Sequence, residues 1–544
     1  MRKILALILC MAMAFALFAG CATDTPAETP PVQPPTTEDP PPPQPTPAPI
    51  DPGAPKTEVS IWFMGGNADN NDTEVVAAAN ARLDELGIPV TIRPIWTGGW
   101  GMGDPAQTAL STADRSVDIF WTATWGLNYF NNARMGNFVR LDDPNNNLLA
   151  LYGQEMLAEV DDSLWTAFRA DGPLGLGLYG VPGPKDSAAW FKMDVNNTRL
   201  AELGYDFDDI FTLTGSNHEI IFDPIFEEIM QASKDMYGEN FFPLNLEQGN
   251  FVQHFSNTDG DLTGLDAFMF PFDPMNPALP ARPEVTLQVD NERFVRVLEK
   301  VREFWDKGFI DPRLAIPGEE AGNIIGEAST AGEYLFSTGQ YAFGHQAAMQ
   351  EQRGIDCIFV PLSVRPLVST MSAAGSGFGI SIYSQNQEAA MMLLNAWYTD
   401  NELANILNYG VEGVHWTRDG AGLVVQDDDA RAATPYQTWR NGMGNVFMLT
   451  PRDIEGADFI DGFRAYNENG VSTAFAGFVF DGEAVEAAMA AMTGVVDEFR
   501  PGLTTGAMDP ATAVDAYRAA LMANGAGDVL AELNRQLSAF FAGS

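Results

Sequence analysis

Residues 58–122 read EVSIWFMGGNADNNDTEVVAAANARLDELGIPVTIRPIWTGGWGMGDPAQTALSTADRSVDIFWT, and the changing period of their apolar side chains decides the architecture. Glu58 to Phe63 is rich in β-branched and aromatic residues and predicts a strand. A polar loop, MGGNADNN, follows. From Asp72 the apolar residues Val76, Ala79, Leu83 and Leu86 recur at helical spacing until Gly87 stops them. IPVTIRPI (88–95) predicts a second strand, residues 104–113 a short helix, and VDIFWT (117–122) a third strand. A β-α-β-α-β run specifies a parallel sheet with right-handed crossovers. Ligands of such sheets lie beyond the carboxyl ends of the strands, where the stretches MGGN, WTGGW and TATW fall.

Upstream the chain is of another kind. Arg2 and Lys3 precede an apolar run from Ile4 to Phe18 that closes on Ala19 and Gly20, the layout of a secretory signal. That run is shorter than the roughly 20 residues a membrane span needs. Phe18-Ala19-Gly20-Cys21 resembles the lipobox of bacterial lipoproteins, with Phe18 where Leu is usual. The resemblance implies cleavage before Cys21 and acylation of its thiol, and several acyl chains hold a protein at a membrane where one alone does not. Between Cys21 and Lys56 stand 14 of the chain's 36 prolines, with almost no large apolar side chain. This composition cannot bury enough surface to fold. At about 3 Å per residue, the tether would hold a body up to roughly 100 Å from its anchor.

Of three cysteines, Cys10 would leave with the signal and Cys21 would carry lipid, so Cys357 remains alone in the strand-like DCIFVP. It reads as a buried small hydrophobe, without a disulfide framework. The four histidines are scattered and neither CxxC nor HExxH occurs, so no metal or other cofactor is expected. With 73 acidic against 30 basic residues the formal net charge is −43, which disfavours nucleic acid as a partner. Gly175 to Gly180 spells GxGxxG, yet Val181-Pro182-Gly183-Pro184 cannot open the helix that a dinucleotide site requires.

Tryptophan is the more informative residue. Trp96, Trp100, Trp121 and Trp125 cluster near the ends of the second and third strands in Gly-rich, loop-like contexts. Such rings offer large flat area at low entropic cost to sugars and other flat ligands. Trp121 ends an apolar strand and equally suits the core, whereas Trp100 and Trp125 lean toward a site.

The combination of a tethered lipoprotein, IWFMGGN, VDIFWTATWGLNYFNNARMGNFVRLDD and LYGVPGPKDSAAWFKMDV resembles the extracellular solute-binding proteins of bacterial ABC importers. More narrowly it is similar to the LipO-like group with a DUF3502-type C-terminal region. FVRVLEKVREFWDKGFIDP, YLFSTGQYAFGH, NYGVEGVHW and FVFDGEAVEAAMAAMTGVVDEFRPGLTTGAMDP continue the likeness to the C-terminus. It implies an α/β, type II periplasmic-binding-protein fold, two lobes with a ligand cleft between them. On that plan residues 1–20 are the signal and 21–56 the tether. Residues 57–182 begin lobe 1, 183–346 form the first part of lobe 2, 347–412 return to lobe 1, and 413–544 form a helical region mainly on lobe 2. Trp305 and Trp397, each on the apolar face of a helix, are expected in the core.

The resemblance carries ligand-binding positions over unevenly. The loop after the first strand maps to Met64 through Asn67, and the aromatics after the third strand to Trp121 and Trp125, with Trp96 and Trp100 nearby. Past the crossover, Asp186 and Trp190 are expected on one face of a strand. His345 and Gln346 are offered by the second lobe. Glu412 and His415 belong to NYGVEGVHW, where a structural role competes with ligand contact. The implied function is capture of a small solute, a saccharide being favoured, at the outer membrane face for an ABC permease, by a monomer, without catalysis. A surface polysaccharide hydrolase working through a carboxylate pair and a receptor for peptides or amino-acid derivatives are the alternatives.

Overall fold

The computed structural model describes residues 50–544, apart from 65–71, 97–102, 113–114, 214–215, 247–249, 257, 260–264, 266, 272–283, 317–318, 342, 364, 427–435, 437, 474 and 544. Cys21, Asn67 and Trp100 lie outside the described residues, as do the side chains of Trp190 and His345.

The opening run folds as its pattern requires. Strand β1 (Thr57–Phe63), helix α1 (Thr73–Glu85), β2 (Val90–Trp96), α2 (Gly103–Ser111) and β3 (Ile119–Thr122) follow one another. β1 pairs in parallel with both β2 and β3. In α1 the buried face is Val75, Ala79 and Leu83, so Val76 turns away and Leu86 stands exposed at the C-cap. Helix α3 (Tyr129–Arg134) leads away from β3, and β4 (Val181–Pro182) ends this first segment.

The chain then builds a second sheet from β5 (Trp190–Asn196), β6 (Leu244–Asn245), β7 (Phe336–Tyr341) and β8 (Cys357–Pro361), in the order β8-β5-β7-β6. Helix α4 (Glu292–Asp306) buries Phe294, Val297, Leu298, Val301 and Phe304 in the core of this lobe, and Trp305 packs half-buried at the margin of that core. Helix α5 (His345–Arg353) connects β7 to β8. After β9 (Leu367–Val368), strand β10 (Gly377–Ile380) re-enters the first sheet between β3 and β4, antiparallel to both. Helix α6 (Gln387–Thr399) brings Trp397, fully buried, into the same core. Helix α7 (Phe459–Glu468) and strand β11 (Val471–Ser472) precede three C-terminal helices, α8 (Glu486–Thr505), α9 (Pro510–Ala523) and α10 (Ala526–Gly543).

Two hydrophobic cores result. One contains residues from Val59 to Ala188 and from Ala374 to Tyr466, the other from Phe191 to Leu367 and from Phe475 to Leu537. The chain therefore passes between lobes three times, and the three passages lie side by side. Ala189 and Leu367 exchange both backbone hydrogen bonds at 2.8 Å, and Leu367–Val368 pairs in parallel with Val471–Ser472. These three short extended passages, paired side by side, join the two cores and form the hinge region.

These cores redraw two expected boundaries. Lobe 2 does not end at 346, because Cys357–Pro361 hydrogen-bonds to β5 inside its sheet. The region from 413 does not sit mainly on lobe 2: Trp416, Val424, Met443, Val446, Phe459 and Phe463 belong to the lobe 1 core, and only the part from Phe475 onward packs on lobe 2. Helical apolar periodicity reports which face of a helix is buried, not which sheet receives it.

Candidate functional site

At the carboxyl end of β3 the chain makes a tight turn in which the Ala123 amide donates to the Gly126 carbonyl. That turn is clasped to the second lobe crossing, with Thr124 donating through its amide to the Ala374 carbonyl and through Oγ1 to the Met371 carbonyl. Trp125 stands on the turn. Its indole N–H donates to the Gly375 carbonyl at 2.9 Å, while 47% of the residue remains exposed. A large ring held by its only donor, with an open face, is a preformed stacking platform.

Two further tryptophans complete the cluster. The ring of Trp121 lies 5.2 Å from that of Trp125 and 5.8 Å from that of Trp439, and the Trp125 and Trp439 rings are 5.6 Å apart, all in edge-to-face arrangements. Trp121 is wholly enclosed, and its N–H donates to Ser376 Oγ at 3.0 Å. In this conformation it supports the platform rather than offering a face of its own. Gly442 lets Trp439 fold down here, since a Cβ at that position would come within 2.3 Å of the Trp439 ring. Arg440, the next residue after Trp439, is fixed by Glu455, whose fully buried carboxylate lies 2.5 Å from Arg440 and 3.0 Å from Arg452. Burial alone would raise the Glu455 carboxyl, but the two guanidinium groups hold it below the usual carboxylate range.

Trp96 is a strand-end packing residue. It stacks on Phe63 at 4.8 Å, meets Tyr436 edge-on at 6.2 Å, and donates to Asp72 Oδ2 at 2.8 Å, so it ties β2 to the start of α1.

On the first crossing, Asp186 accepts from Lys185 Nζ at 2.9 Å, both side chains being largely covered. Asn467 of α7 clamps this segment by donating to the Lys185 carbonyl at 2.8 Å and accepting from the Ser187 amide at 3.1 Å. These bonds change an expectation: Asp186 lies in the crossing, outside the strand, which starts only at Trp190, so the two do not share a strand face. Trp190 opens β5 opposite Tyr341, the last residue of β7, and His345 begins α5 just beyond. Gln346 accepts from the Phe359 amide through Oε1 at 3.1 Å, a bond that fastens α5 to β8.

NYGVEGVHW folds into a self-contained turn. The Trp416 indole donates to the Gly410 carbonyl, and the Val411 amide donates to Nδ1 of a buried His415, whose imidazolium is disfavoured chiefly by burial. Glu412 points outward and pairs with Arg418 at 3.1 Å. Cys357 is fully buried, and burial pushes its thiol up to about 12. Among the described residues there is no group of three or more His, Cys, Asp or Glu disposed to hold a metal ion.

The sequence reading missed Trp439, Lys185 and the glycine-serine pair Gly375-Ser376. For Trp439 a signal existed, because TWRNGMGN repeats the Gly-rich aromatic composition of WTGGW.

Comparison with known proteins bears on this arrangement. Residues 474–542 match the family model DUF3502, a domain of unknown function. A carbohydrate ABC transporter substrate-binding protein of Streptococcus pneumoniae serotype 4 (strain ATCC BAA-334 / TIGR4) is 22% identical over 496 residues, 89% of this chain and 91% of that protein. Among solved structures, the N-glycan transport solute binding protein of Streptococcus pneumoniae in complex with Man1GlcNAc superposes with a TM-score of 0.70 at 20% identity, covering 89% of this chain and 99% of the other. The HMO binding ABC-transporter associated solute binding protein of Bifidobacterium longum infantis gives 0.59 at 15% identity, with 89% and 99% covered. At these identities the likeness is one of fold: this chain has the two-lobed α/β fold of the solute-binding proteins, with its DUF3502 region packed in the second lobe.

Proposed function

We propose that the protein captures a saccharide between its lobes at the outer face of a membrane and delivers it to the permease of an ABC importer. The observation that carries the reading is Trp125: a half-exposed indole, pinned by its N–H to the second crossing and backed by Trp121 and Trp439, where β3 meets the hinge. Apolar faces of pyranose rings stack on such a surface, and the edges of Lys185 and Asp186 beside it supply a donor and an acceptor for hydroxyls. The carbohydrate-transport name of the pneumococcal relative and the oligosaccharide ligands named for the two structural neighbours support the same class. A protein of this kind binds and releases without bond cleavage, as a monomer.

Attachment to the membrane rests on Cys21 and the proline-rich tether, since no helix among the described residues is long and apolar enough to cross a membrane. Replacing Cys21→Ser is expected to move the protein from the membrane fraction to the medium.

Titration calorimetry across neutral oligosaccharides, peptides and amino-acid derivatives tests the function. The expected result is one saccharide family bound near micromolar Kd, about −8 kcal/mol, and recovered intact afterwards. Tight binding of a peptide series with no response to any saccharide, or hydrolysis of a bound glycan, overturns the proposal.

A further inference from the structure

Charge at the cleft narrows the class of saccharide, an inference that rests on the proposed function. Among the described residues, the segments beside Trp125 at the strand ends and crossings of lobe 1 are 123–128, 183–189, 374–376 and 438–445. These segments contain two cationic residues, Lys185 and Arg440, and one carboxylate, Asp186.

Neither cation is offered to a ligand as a bare charge. The Arg440 guanidinium is bound by the buried carboxylate of Glu455. Lys185 Nζ donates to Asp186 Oδ1 at 2.9 Å and to the Asp186 carbonyl at 3.3 Å. The same ammonium lies against Gly375, 3.3 Å from where a Cβ would stand, and Gly375 is the residue whose carbonyl holds Trp125. A ligand on the exposed face of Trp125 thus adjoins an ion pair already compensated within itself.

From this arrangement we infer that the cleft selects uncharged saccharides over acidic ones, and that Asp186 is the specificity-determining residue because it neutralises Lys185. A hydroxyl donates to the carboxylate and accepts from the ammonium, so a vicinal diol satisfies both partners of the pair without disturbing it. A uronate, sulfate or phosphate group must be stripped of water beside Asp186 and meets in Lys185 a cation already paired, a cost that neutral hydroxyls do not incur. The formal net charge of −43 adds a repulsive field in the same direction.

The test uses full-length protein, with its lipid anchor solubilised in detergent, and two oligosaccharides of the same linkage and length, one neutral and one oxidised at a single C6 to the uronate. Wild type is expected to bind the neutral sugar at least roughly ten-fold more tightly. In Asp186→Asn the gap should narrow through a gain of affinity for the uronate, because Lys185 is released. In the double variant Lys185→Met/Asp186→Asn that gain should disappear. Equal or tighter binding of the uronate by wild type, or a gap that Asp186→Asn leaves unchanged while its melting temperature shows a folded protein, overturns the inference and leaves the saccharide reading standing. Failure of wild type to bind any sugar, neutral or acidic, removes both.

Discussion

Arg134, the last residue of α3 in lobe 1, places its guanidinium 3.3 Å from the carboxylate of Asp481, a residue fastened to lobe 2 through two hydrogen bonds with Gln536 at 2.9 and 2.7 Å. The pair therefore spans the two cores beside the hinge. Both side chains are partly exposed, and exposed pairs contribute about 0–1 kcal/mol to stability. Its leverage is on the arrangement of the lobes, because any rotation that separates α3 from the 475–481 segment must break it. Asp481→Asn is expected to lower unfolding free energy by less than about 1 kcal/mol while changing the radius of gyration of the ligand-free protein in small-angle scattering. Raising salt should reproduce part of the change in wild type. A loss of several kcal/mol with unaltered scattering would contradict this assignment.

The three clustered tryptophans divide by burial, and substitution should expose the division. Trp121 is fully enclosed, so Trp121→Ala is expected to destabilise lobe 1 by about 3–5 kcal/mol. Trp125 keeps an open face, so Trp125→Ala should change stability little and weaken saccharide binding by about 1–3 kcal/mol, the scale of losing one large apolar contact. Trp439→Ala falls between, because the ring supports Trp125 edge-on at 5.6 Å. Melting temperature and calorimetric affinity measured on the same preparations decide it. A stability loss at Trp125 with affinity intact would take that residue out of the site.

His254 gives lobe 2 a pH response. Its ring is buried, stacked on Phe191 at 4.4 Å, and its Nδ1 has no hydrogen-bond partner among the described residues. Burial lowers its pKa from 6.5 to about 3. The folded state therefore binds this proton less readily than the unfolded chain, so the contribution is complete above the unfolded value and declines as pH falls from 6.5 toward 3. The slope approaches about 1.4 kcal/mol per pH unit. Urea unfolding at pH 7 and at pH 5 should show a steeper loss in wild type than in His254→Phe, and parallel losses in the two proteins would refute the assignment.

The first sheet was legible because the chain writes its strands and helices in alternation from β1 to β3, and short-range periodicity is what a sequence displays most directly. That Trp125 keeps an open face was legible from its place in a Gly-containing loop after a strand. What the sequence hides is assembly across distance. The bond from Trp125 to Gly375 joins positions 250 apart, and nothing near either residue announces it. Asp186 looked like the start of a strand because Ala188, Ala189 and Trp190 follow it, yet Asn467 holds that segment in the crossing. Residues 413–466 carry the same mixture of turns and apolar residues as parts of lobe 2, and only packing assigns them to lobe 1.

Glu455 links the stability of lobe 1 to the site. Its buried carboxylate compensates Arg440 and Arg452, and the Arg440 guanidinium also lies over the Phe459 ring at 5.1 Å, so the pairing positions the chain immediately after Trp439. Glu455→Gln takes a buried carboxylate away from two guanidinium groups, which costs about 3–5 kcal/mol. The pH dependence follows from sign. With the folded pKa held below the ordinary value, the stabilisation is complete above the carboxylate's unfolded pKa and is lost as pH falls through the folded value. The difference between wild type and Glu455→Gln is therefore expected to be largest at neutral pH and to shrink in acid. Affinity for saccharide should fall as well, since Trp439 loses the anchor next to it, and Trp439→Ala combined with Glu455→Gln should lower affinity no further than Trp439→Ala alone. Additive losses in the double variant would mean that Glu455 reaches the ligand by some route other than Trp439.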